Sequence, residues 1–392
     1  MKEKLYDYID SIEKDLNGMA EFIFNHPELS FNEIQSANYI CDFLEDNGFQ
    51  VERGVGGLET SFRAVYKNLD GGPSIGLLTE YDALEGIGHA CGHHLQPSSI
   101  IGAALAVKNL YTDKPFRLIV YGTPAEEGGG GKIIMLKNGA FKDIDVAIMM
   151  HGGPETTTDV KSLASTNFEV TFHGKSAHAA LKPEQGRSSL DAVLLMFNGI
   201  EFMREHVPDD VRMHYTIKEV GGPANVVPKK SVATVSLRSY NRTQLDDVIL
   251  RAENIFKGAA LMTGTNCEYK IVRAYNNKIP VLSLNELLLQ NAEAINAPNI
   301  TPPRQKTGST DFGNVMFELP GSCIRVAFVP PGTSSHSQTF IDYALSEEAY
   351  AAIKYGAKII AGSVVDMIEN EEILKNIQNE FKENKEKAKS LV

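Results

Sequence analysis

No apolar stretch of this chain approaches the roughly 20 residues that a helix needs to span a bilayer, and no block of lysine and arginine interrupts it. The first absence excludes a helical membrane protein. The second, with a formal net charge of −12, argues against nucleic acid and anionic membrane as partners, since both are bound by concentrated positive charge. Cysteine is scarce too. Cys41, Cys91, Cys267 and Cys323 lie far apart and form no disulfide framework, which is the usage of a reducing compartment. The first residues run into an acidic amphipathic pattern and not an apolar signal core, so the expected location is cytoplasmic. No internal repeat or low-complexity tract is present.

What is present is an ordinary globular composition, 43% hydrophobic and 22% charged, spread over 392 residues. At about 100–200 residues per domain, this predicts two or three units. Against that background one stretch stands out. Gly88-His89-Ala90-Cys91-Gly92-His93-His94 gathers three of the ten histidines and one of the four cysteines. Imidazole and thiolate are preferred ligands of borderline and soft divalent metals. Gly88 and Gly92 let the backbone turn tightly enough for such side chains to converge. The stretch is expected to form one wall of a metal site.

Apolar spacing predicts a helix over residues 5–24, ended by His26-Pro27, with His26 serving the helix end. Ser30-Phe31-Asn32-Glu33 has the form of a capping box opening a helix to about residue 47. Strands follow near Val51, at 62–66 and at 74–79. The last is apolar on both sides, as a covered strand should be, and delivers Glu80-Tyr81-Asp82. A small-residue helix spans 97–109, and a buried strand over 116–121 ends in Pro124-Ala125-Glu126-Glu127 and a glycine run. A helix at 132–138 precedes a strand over 146–150, which ends in His151. Polar residues at successive strand ends mark the ligand edge of an open α/β sheet. The glycine run before Lys132 resembles a phosphate loop but fails its pattern, because Glu126 holds the first-glycine position and Ile133 the Ser/Thr position.

Residues 156–159 read as a linker. Beyond it a β-α-β-β-α-β order (166–172, 188–205, 213–220, 231–239, 243–262, 266–272) is that of a small ferredoxin-like unit. The earlier alternation then resumes, with a helix at 282–295, a strand at 324–329, His336 and a helix over 346–367. The Lys/Glu/Asn-rich tail from Glu369 is expected to be a solvated, fraying helix. The expected fold is α/β: one domain with a helix-flanked mixed sheet, formed by 1–163 and 275–392, and an inserted ferredoxin-like domain over 164–274.

Taken singly, the site residues have ordinary readings. A Cys-Gly-His triplet suits a buried structural cysteine, and a Glu-Glu pair suits a solvated surface. Together, Cys91, His93, Glu127, His151 and His336 offer more ligands than the three of a mononuclear catalytic zinc. Such a set, with a sulfur or carboxylate able to bridge, suits two metals that bind a hydroxide nucleophile and polarise a carbonyl together. One closed structural zinc would use closely paired cysteines, which are absent. Strand alternation would point Glu126 and Glu127 in different directions, so that one binds metal and the other faces the water as general base.

At these residues the sequence resembles the co-catalytic metallo-amidohydrolases that include aminoacylase, hippurate hydrolase and the indole-acetyl-amino-acid hydrolases. It is most similar to their aminobenzoyl-glutamate hydrolase, dipeptidase and HmrA-like branch. The matching stretches run in family order from His26-Pro27-Glu28-Leu29-Ser30 through Tyr81-Asp82-Ala83-Leu84, His89-Ala90-Cys91-Gly92-His93 and Pro124-Ala125-Glu126-Glu127-Gly128. They continue through His173-Gly174, Ala177-His178-Ala179, Asn225-Val226-Val227-Pro228 and Ser309-Thr310-Asp311-Phe312 to Ser335-His336-Ser337. The resemblance implies metal ligation by Cys91, His93, Glu127, His151 and His336, with Cys91 bridging, and Glu126 as base. It implies that the sheet domain is a catalytic domain of the zinc-exopeptidase type and the inserted domain its lid, with Asp82 behind a metal ligand, His178 stabilising the oxyanion from the lid, and Asn225 and Arg238 holding substrate. Other branches have a His-x-Asp motif where this chain has Glu80-Tyr81-Asp82, so the ligand role falls to His93. Many have aspartate where His94 stands, which leaves His94 open between support and substrate contact. His89, His173, His206 and His214 read as structural.

The expected activity is hydrolysis of the amide bond of a dipeptide or N-acyl (aminobenzoyl-like) amino acid. The expected cofactor is two divalent ions, zinc or alternatively manganese. The chain is expected to form a homodimer through the inserted lid domain, or a higher homo-oligomer. The alternatives are a broader metallopeptidase that also cleaves internal bonds and an inactive relative that binds metal or a partner.

Overall fold

The computed structural model describes residues 1–390. The chain divides into two compact units, one formed by Met1–Lys161 with Lys278–Glu386 and the other by Ser162–Asn277 with the end of the chain from Lys387. In chain order the first unit opens with α1 (Lys2–Ser11), α2 (Glu13–Asn25), α3 (Ile34–Asp46), β1 (Gln50–Arg53), β2 (Phe62–Asn68) and β3 (Ser74–Thr79). It continues with α4 (Leu95–Leu110), β4 (Phe116–Gly122), α5 (Gly131–Lys137), β5 (Val146–Gly153) and β6 (Thr157–Thr158). The second unit holds β7 (Ala164–His173), α6 (Ser189–Arg204), β8 (Arg212–Val220), β9 (Lys230–Ser239), α7 (Arg242–Thr263) and β10 (Asn266–Tyr275). The chain then returns to the first unit with α8 (Leu282–Ala294), α9 (Phe312–Glu318), β11 (Gly321–Ala327), α10 (Gln338–Asp342), α11 (Glu347–Glu369) and α12 (Glu371–Lys389), the last of which belongs to it as far as Glu386.

The first unit is built on a seven-stranded mixed sheet in the order β1-β2-β4-β3-β5-β11-β6. Its central strands β4, β3, β5 and β11 run parallel, so their C-terminal ends share one edge. α4 explains how that edge is held. All thirteen residues from Leu95 to Val107 are buried, the signature of a helix enclosed on every side. Gly356 lets α11 pass against it, because a Cβ there would stand 2.9 Å from Ser99 Oγ. On the opposite face, Met135 of α5 and Phe312, Val315 and Met316 of α9 cover Leu78, Ile119, Tyr121 and Met149.

The second unit is a four-stranded antiparallel sheet in the order β10-β7-β9-β8. α6 and α7 share its core, where Phe168, Phe172, Met196, Ile200, Leu245 and Phe256 pack together. Among the described residues no helix is long and apolar enough to cross a membrane.

Four local expectations are corrected. The helix expected over 5–24 breaks at Ile12 (φ −103°, ψ 11°), although the apolar spacing continues across the break. The capping box does not form. Phe31 turns through a left-handed φ of 66°, Ser30 Oγ donates to Asp82 Oδ2, and α3 starts only at Ile34. Its free N–H groups are capped instead by the Glu28 carboxylate, which accepts from Gln35 N and Ser36 N at 2.9 Å each. The supposed linker at 156–159 contains β6, which adds to the edge of the main sheet against β11 with Thr156, Thr157 and Thr158 buried. The tail is not a solvated helix: α12 buries Ile377 and Phe381, and its Glu380 caps α8 by accepting from Leu282 N and Ser283 N.

Candidate metal centre

The parallel strands carry the site residues to their common edge. β3 ends just before Glu80 and Asp82, β4 just before the Glu126–Glu127 turn, and β5 holds His151 itself. The Cys91–His93 loop opens α4, and His336 precedes α10. Together they form two ligand groups with one shared member. Cys91, His93 and His151 bring sulfur and ring nitrogens within 4.8 Å of one another, and so do Cys91, Glu127 and His336 with sulfur, carboxylate and nitrogen. Cys91 Sγ lies 3.6 Å from His151 Nε2, and His336 Nε2 lies 3.2 Å from Glu127 Oε1.

Each imidazole is aimed by what its other side touches. His93 Nδ1 lies 3.0 Å from the Asp82 carbonyl oxygen and 3.1 Å from Asp82 Oδ1, and His151 Nδ1 is 2.7 Å from the Gly152 carbonyl. Both therefore hold a proton on Nδ1 and leave Nε2 as the ligating atom. Asp82 also accepts from the backbone N–H of Glu127 at 2.9 Å, so one buried carboxylate orients two candidate ligands. Two non-glycine residues here have left-handed backbones, Ala125 (φ 62°) and His336 (φ 61°). Such strain costs of order ~1–3 kcal/mol each and persists only where surrounding contacts impose it. For Ala125 the N–H donates to the buried Glu33 carboxylate, and the carbonyl accepts from Gly129 and Gly130. For His336 the N–H donates to the Ala90 carbonyl.

This turn corrects the strand-alternation argument. Glu126 and Glu127 follow β4 in a tight turn, and both place an oxygen within 4.8 Å of a His93 ring nitrogen. The glycine run also has a steric reason: a Cβ on Gly129 would meet the Phe31 ring at 2.1 Å, and one on Gly131 would meet the Pro124 carbonyl oxygen at 1.9 Å.

The donor set fits a divalent metal. His93 Nε2 and Glu127 Oε1 are buried and make no hydrogen bond within the described residues, a costly state for polar atoms without a cation between them. His93 Nε2 does approach Glu80 Oε2 at 3.3 Å, without the geometry of a hydrogen bond. Burial pushes the Cys91 thiol up to about 12, so at neutral pH it becomes a thiolate only when a bound cation displaces its proton, which is released to solvent. Burial, and then the charges of Glu80 and Asp311, push the Glu126 carboxyl up to about 8.

His94 stays out of both groups. It is wholly buried, its Nε2 donates to the Ala344 carbonyl at 2.9 Å, and burial lowers its pKa to about 4, which makes it a neutral structural histidine. His89 is buried beside it. His26 Nδ1 donates to the Phe22 carbonyl at 2.7 Å and serves the end of α2.

The second unit carries the remaining candidates. His178 and Asn225 are exposed on adjoining loops, where Ala179 N–H donates to the Asn225 carbonyl at 2.9 Å. His178 Nδ1 accepts from Ala180 N and Leu181 N at 3.3 Å each, which places the ring proton on Nε2. Arg238 is not with them. It pairs in register with Ser165 near the start of β7, whereas Lys230, just after the Asn225 loop, pairs with His173 at its end. Eight residues of strand at about 3.3 Å each separate the two ends.

Sequence reasoning missed four residues of the first unit. Glu80, Lys132 and Asp311 form a buried charged cluster against Glu126, and Glu33 supports the Ala125 turn. Asp311 stands in one of the family-matching stretches, and Lys132 only follows a glycine run that fails as a phosphate loop. Single lysines and carboxylates carry no spacing signal, because their meaning comes from contacts across 179 residues of sequence.

Comparison with known proteins places the whole chain in a family. The family model described as peptidase family M20/M25/M40 matches residues 72–364. The human protein named Xaa-Arg dipeptidase is 32% identical, covering 97% of this chain and 92% of its own length. One subunit of the p-aminobenzoyl-glutamate hydrolase of Escherichia coli is 30% identical, covering 97% and 95%. Among solved structures, a Bacillus subtilis dinuclear metal binding peptidase superposes with a TM-score of 0.71 at 20% identity, covering 92% of this chain and 100% of that one. Likeness of this extent in sequence, on a sheet edge of this composition, makes the chain a hydrolase of peptidase family M20/M25/M40.

Proposed function

We propose that this chain is a dinuclear metal amidohydrolase that cleaves dipeptides or N-acyl amino acids at the amide bond. The observation that carries this reading is the sharing of Cys91 between two ligand groups beside a carboxylate, Glu126, that belongs to neither Cys91 group. His93 and His151 would hold one divalent ion, Glu127 and His336 the other, and Cys91 both. Zinc suits this mixed sulfur, nitrogen and oxygen set, with manganese as the alternative. When bound, the ions supply Lewis acidity to the substrate carbonyl and acidify the attacking water. Glu126 takes the proton of that water and returns it to the leaving nitrogen. Asp82 keeps His93 oriented through the cycle. In the second unit, His178 with its proton on Nε2 is a donor suited to an oxyanion, and Asn225 beside it offers an exposed amide; Arg238, a strand's length from both, would bring its guanidinium to the same small substrate's carboxylate only from a different chain.

Glu126→Gln should abolish turnover with both metals retained, as read by elemental analysis of the same sample. Undiminished turnover removes the assigned base. A Glu126→Gln protein that loses its metals makes Glu126 a ligand instead.

The two named relatives act on an Xaa-Arg dipeptide and on p-aminobenzoyl-glutamate. Both substrates join an acyl or aminoacyl group to an amino acid with a free carboxylate, and a panel of such compounds is the first assay. Turnover of blocked internal peptide bonds ahead of dipeptides favours the broader peptidase. Metal-loaded protein that hydrolyses nothing on the panel favours an inactive binding relative. We propose in addition that two chains pair through the inserted domain.

A further inference from the structure

Lys132 is a fully buried charged side chain, with no exposed surface. Its Nζ donates to Glu80 Oε1 at 2.5 Å and to Asp311 Oδ1 at 2.8 Å, and its backbone N–H donates to Asp311 Oδ2 at 3.0 Å. Glu80 is fixed from its other side as well, since Gln96 Nε2 donates to Oε2 at 2.8 Å and Gln96 Oε1 accepts from Glu80 N at 3.1 Å. The third member is Glu126, which places an oxygen within 4.8 Å of oxygens of both Glu80 and Asp311. One ammonium therefore lies among three carboxylates drawn from the end of β3, the turn after β4 and the start of α9.

Stability alone is a poor reason for such a cluster. Desolvating an ion pair costs about as much as its attraction returns, and apolar replacements of similar volume are often neutral or better. Position is the better reason. Three carboxylates this close repel one another unless a cation stands among them. Glu80 and Asp311 also have the ligand chemistry of Glu127, yet neither belongs to a group containing Cys91. The lysine holds Glu80 Oε1 and Asp311 Oδ1, while Glu80 Oε2 stands 3.3 Å from His93 Nε2.

We infer that Lys132 is a built-in cation that positions Glu126 and fills a third carboxylate site that would otherwise take a metal ion. The inference rests on the reading of Glu126 as the base. Lys132 acts through Glu126 and its two neighbours and touches no reacting atom, so it is a positioning residue. Its removal should change geometry at the base and the number of bound cations, and leave substrate affinity alone.

The test uses full-length metal-loaded protein and the best substrate of the panel above. Lys132→Ala should lower kcat about 100-fold, the size of effect that a small misplacement of a reacting group produces, with KM nearly unchanged. The variant should bind a further equivalent of manganese in equilibrium dialysis. Ethylammonium, a cation shaped like the deleted group, should restore part of kcat, and tetramethylammonium should not. If Lys132→Ala does not fold, Lys132→Met/Asp311→Asn removes one charge of each sign from the cluster and carries the same expectation for kcat and KM. Wild-type kcat in the folded variant overturns the inference. So does a fall in kcat that only follows loss of the Cys91-centred metals or a rise in KM. Glu126→Gln measured alongside keeps the two readings apart. If it still turns over, the base is wrong. If it is dead while the Lys132 variant is fully active, only the role of Lys132 fails.

Discussion

Asp82 and Glu33 show how single buried carboxylates set the centre without binding metal or substrate. Asp82 holds the His93 ring and the Glu127 backbone at once. Asp82→Asn presents one oxygen and one amide in place of two acceptors, so one of those contacts must fail. Metal affinity should fall by about 10–100-fold, as read by competition with a chromophoric chelator. Glu33 supports the strained Ala125 turn, and burial raises its pKa from 4.5 to about 7. A carboxyl raised in the folded state favours folding at low pH, so its contribution is present below pH 4.5 and is lost as the pH rises through about 7. The shift corresponds to roughly 3 kcal/mol at full ionisation. Glu33→Gln should remove this part of the pH dependence, so that metal-free variant and wild type diverge in urea midpoint between pH 5 and pH 8. The sequence shows Asp82 through a motif. It offers Glu33 only as a capping-box residue, because the true partner Ala125 lies 92 residues away.

Among the elements, what was legible followed period and composition. The order of strands and helices could be read because buried strands are apolar on both sides and amphipathic helices repeat at 3.6 residues. Helix ends were less legible, because their caps come from elsewhere in the chain. Ser30 looks like the cap of α3, yet Glu28 does that work from seven and eight residues before the groups it binds. The cap of α8 comes from Glu380, about a hundred residues later. Glu28→Ala should lower unfolding free energy by about 1 kcal/mol, the usual effect of losing a helix cap, with the m-value unchanged in urea titration. An equal loss from Ser30→Ala, and none from Glu28→Ala, would return the cap to Ser30. The same long reach explains the misread tail: Lys and Glu dominate α12, and only its contacts reveal that Ile377 and Phe381 face inward.

At the scale of the whole molecule, the inserted unit leaves its outer strand open. β8 forms one edge of the four-stranded sheet, and of its nine residues only Met213 is buried. Ile217 and Val220 are exposed on that edge, and Phe202, on the neighbouring α6, is 75% exposed. An unpaired apolar edge is a template for strand addition, and a second copy of the same strand is the simplest occupant, since an antiparallel pairing of identical edges closes on itself. The sequence alone could not distinguish this from core packing, because Phe202 and the core residue Ile200 have the same apolar character and differ only in the side of α6 they occupy. Ile217→Lys, which adds a charge to the edge without touching the core, should convert dimer to monomer in sedimentation velocity and leave the thermal midpoint nearly unchanged. A wild-type monomer at working concentration would end the dimer proposal. The same variant asks whose substrate His178 serves. If the histidine acts on the partner's substrate, the monomer should lose kcat, and mixing Ile217→Lys with wild type should not restore it. If His178 serves its own chain, the monomer should turn over at the wild-type rate.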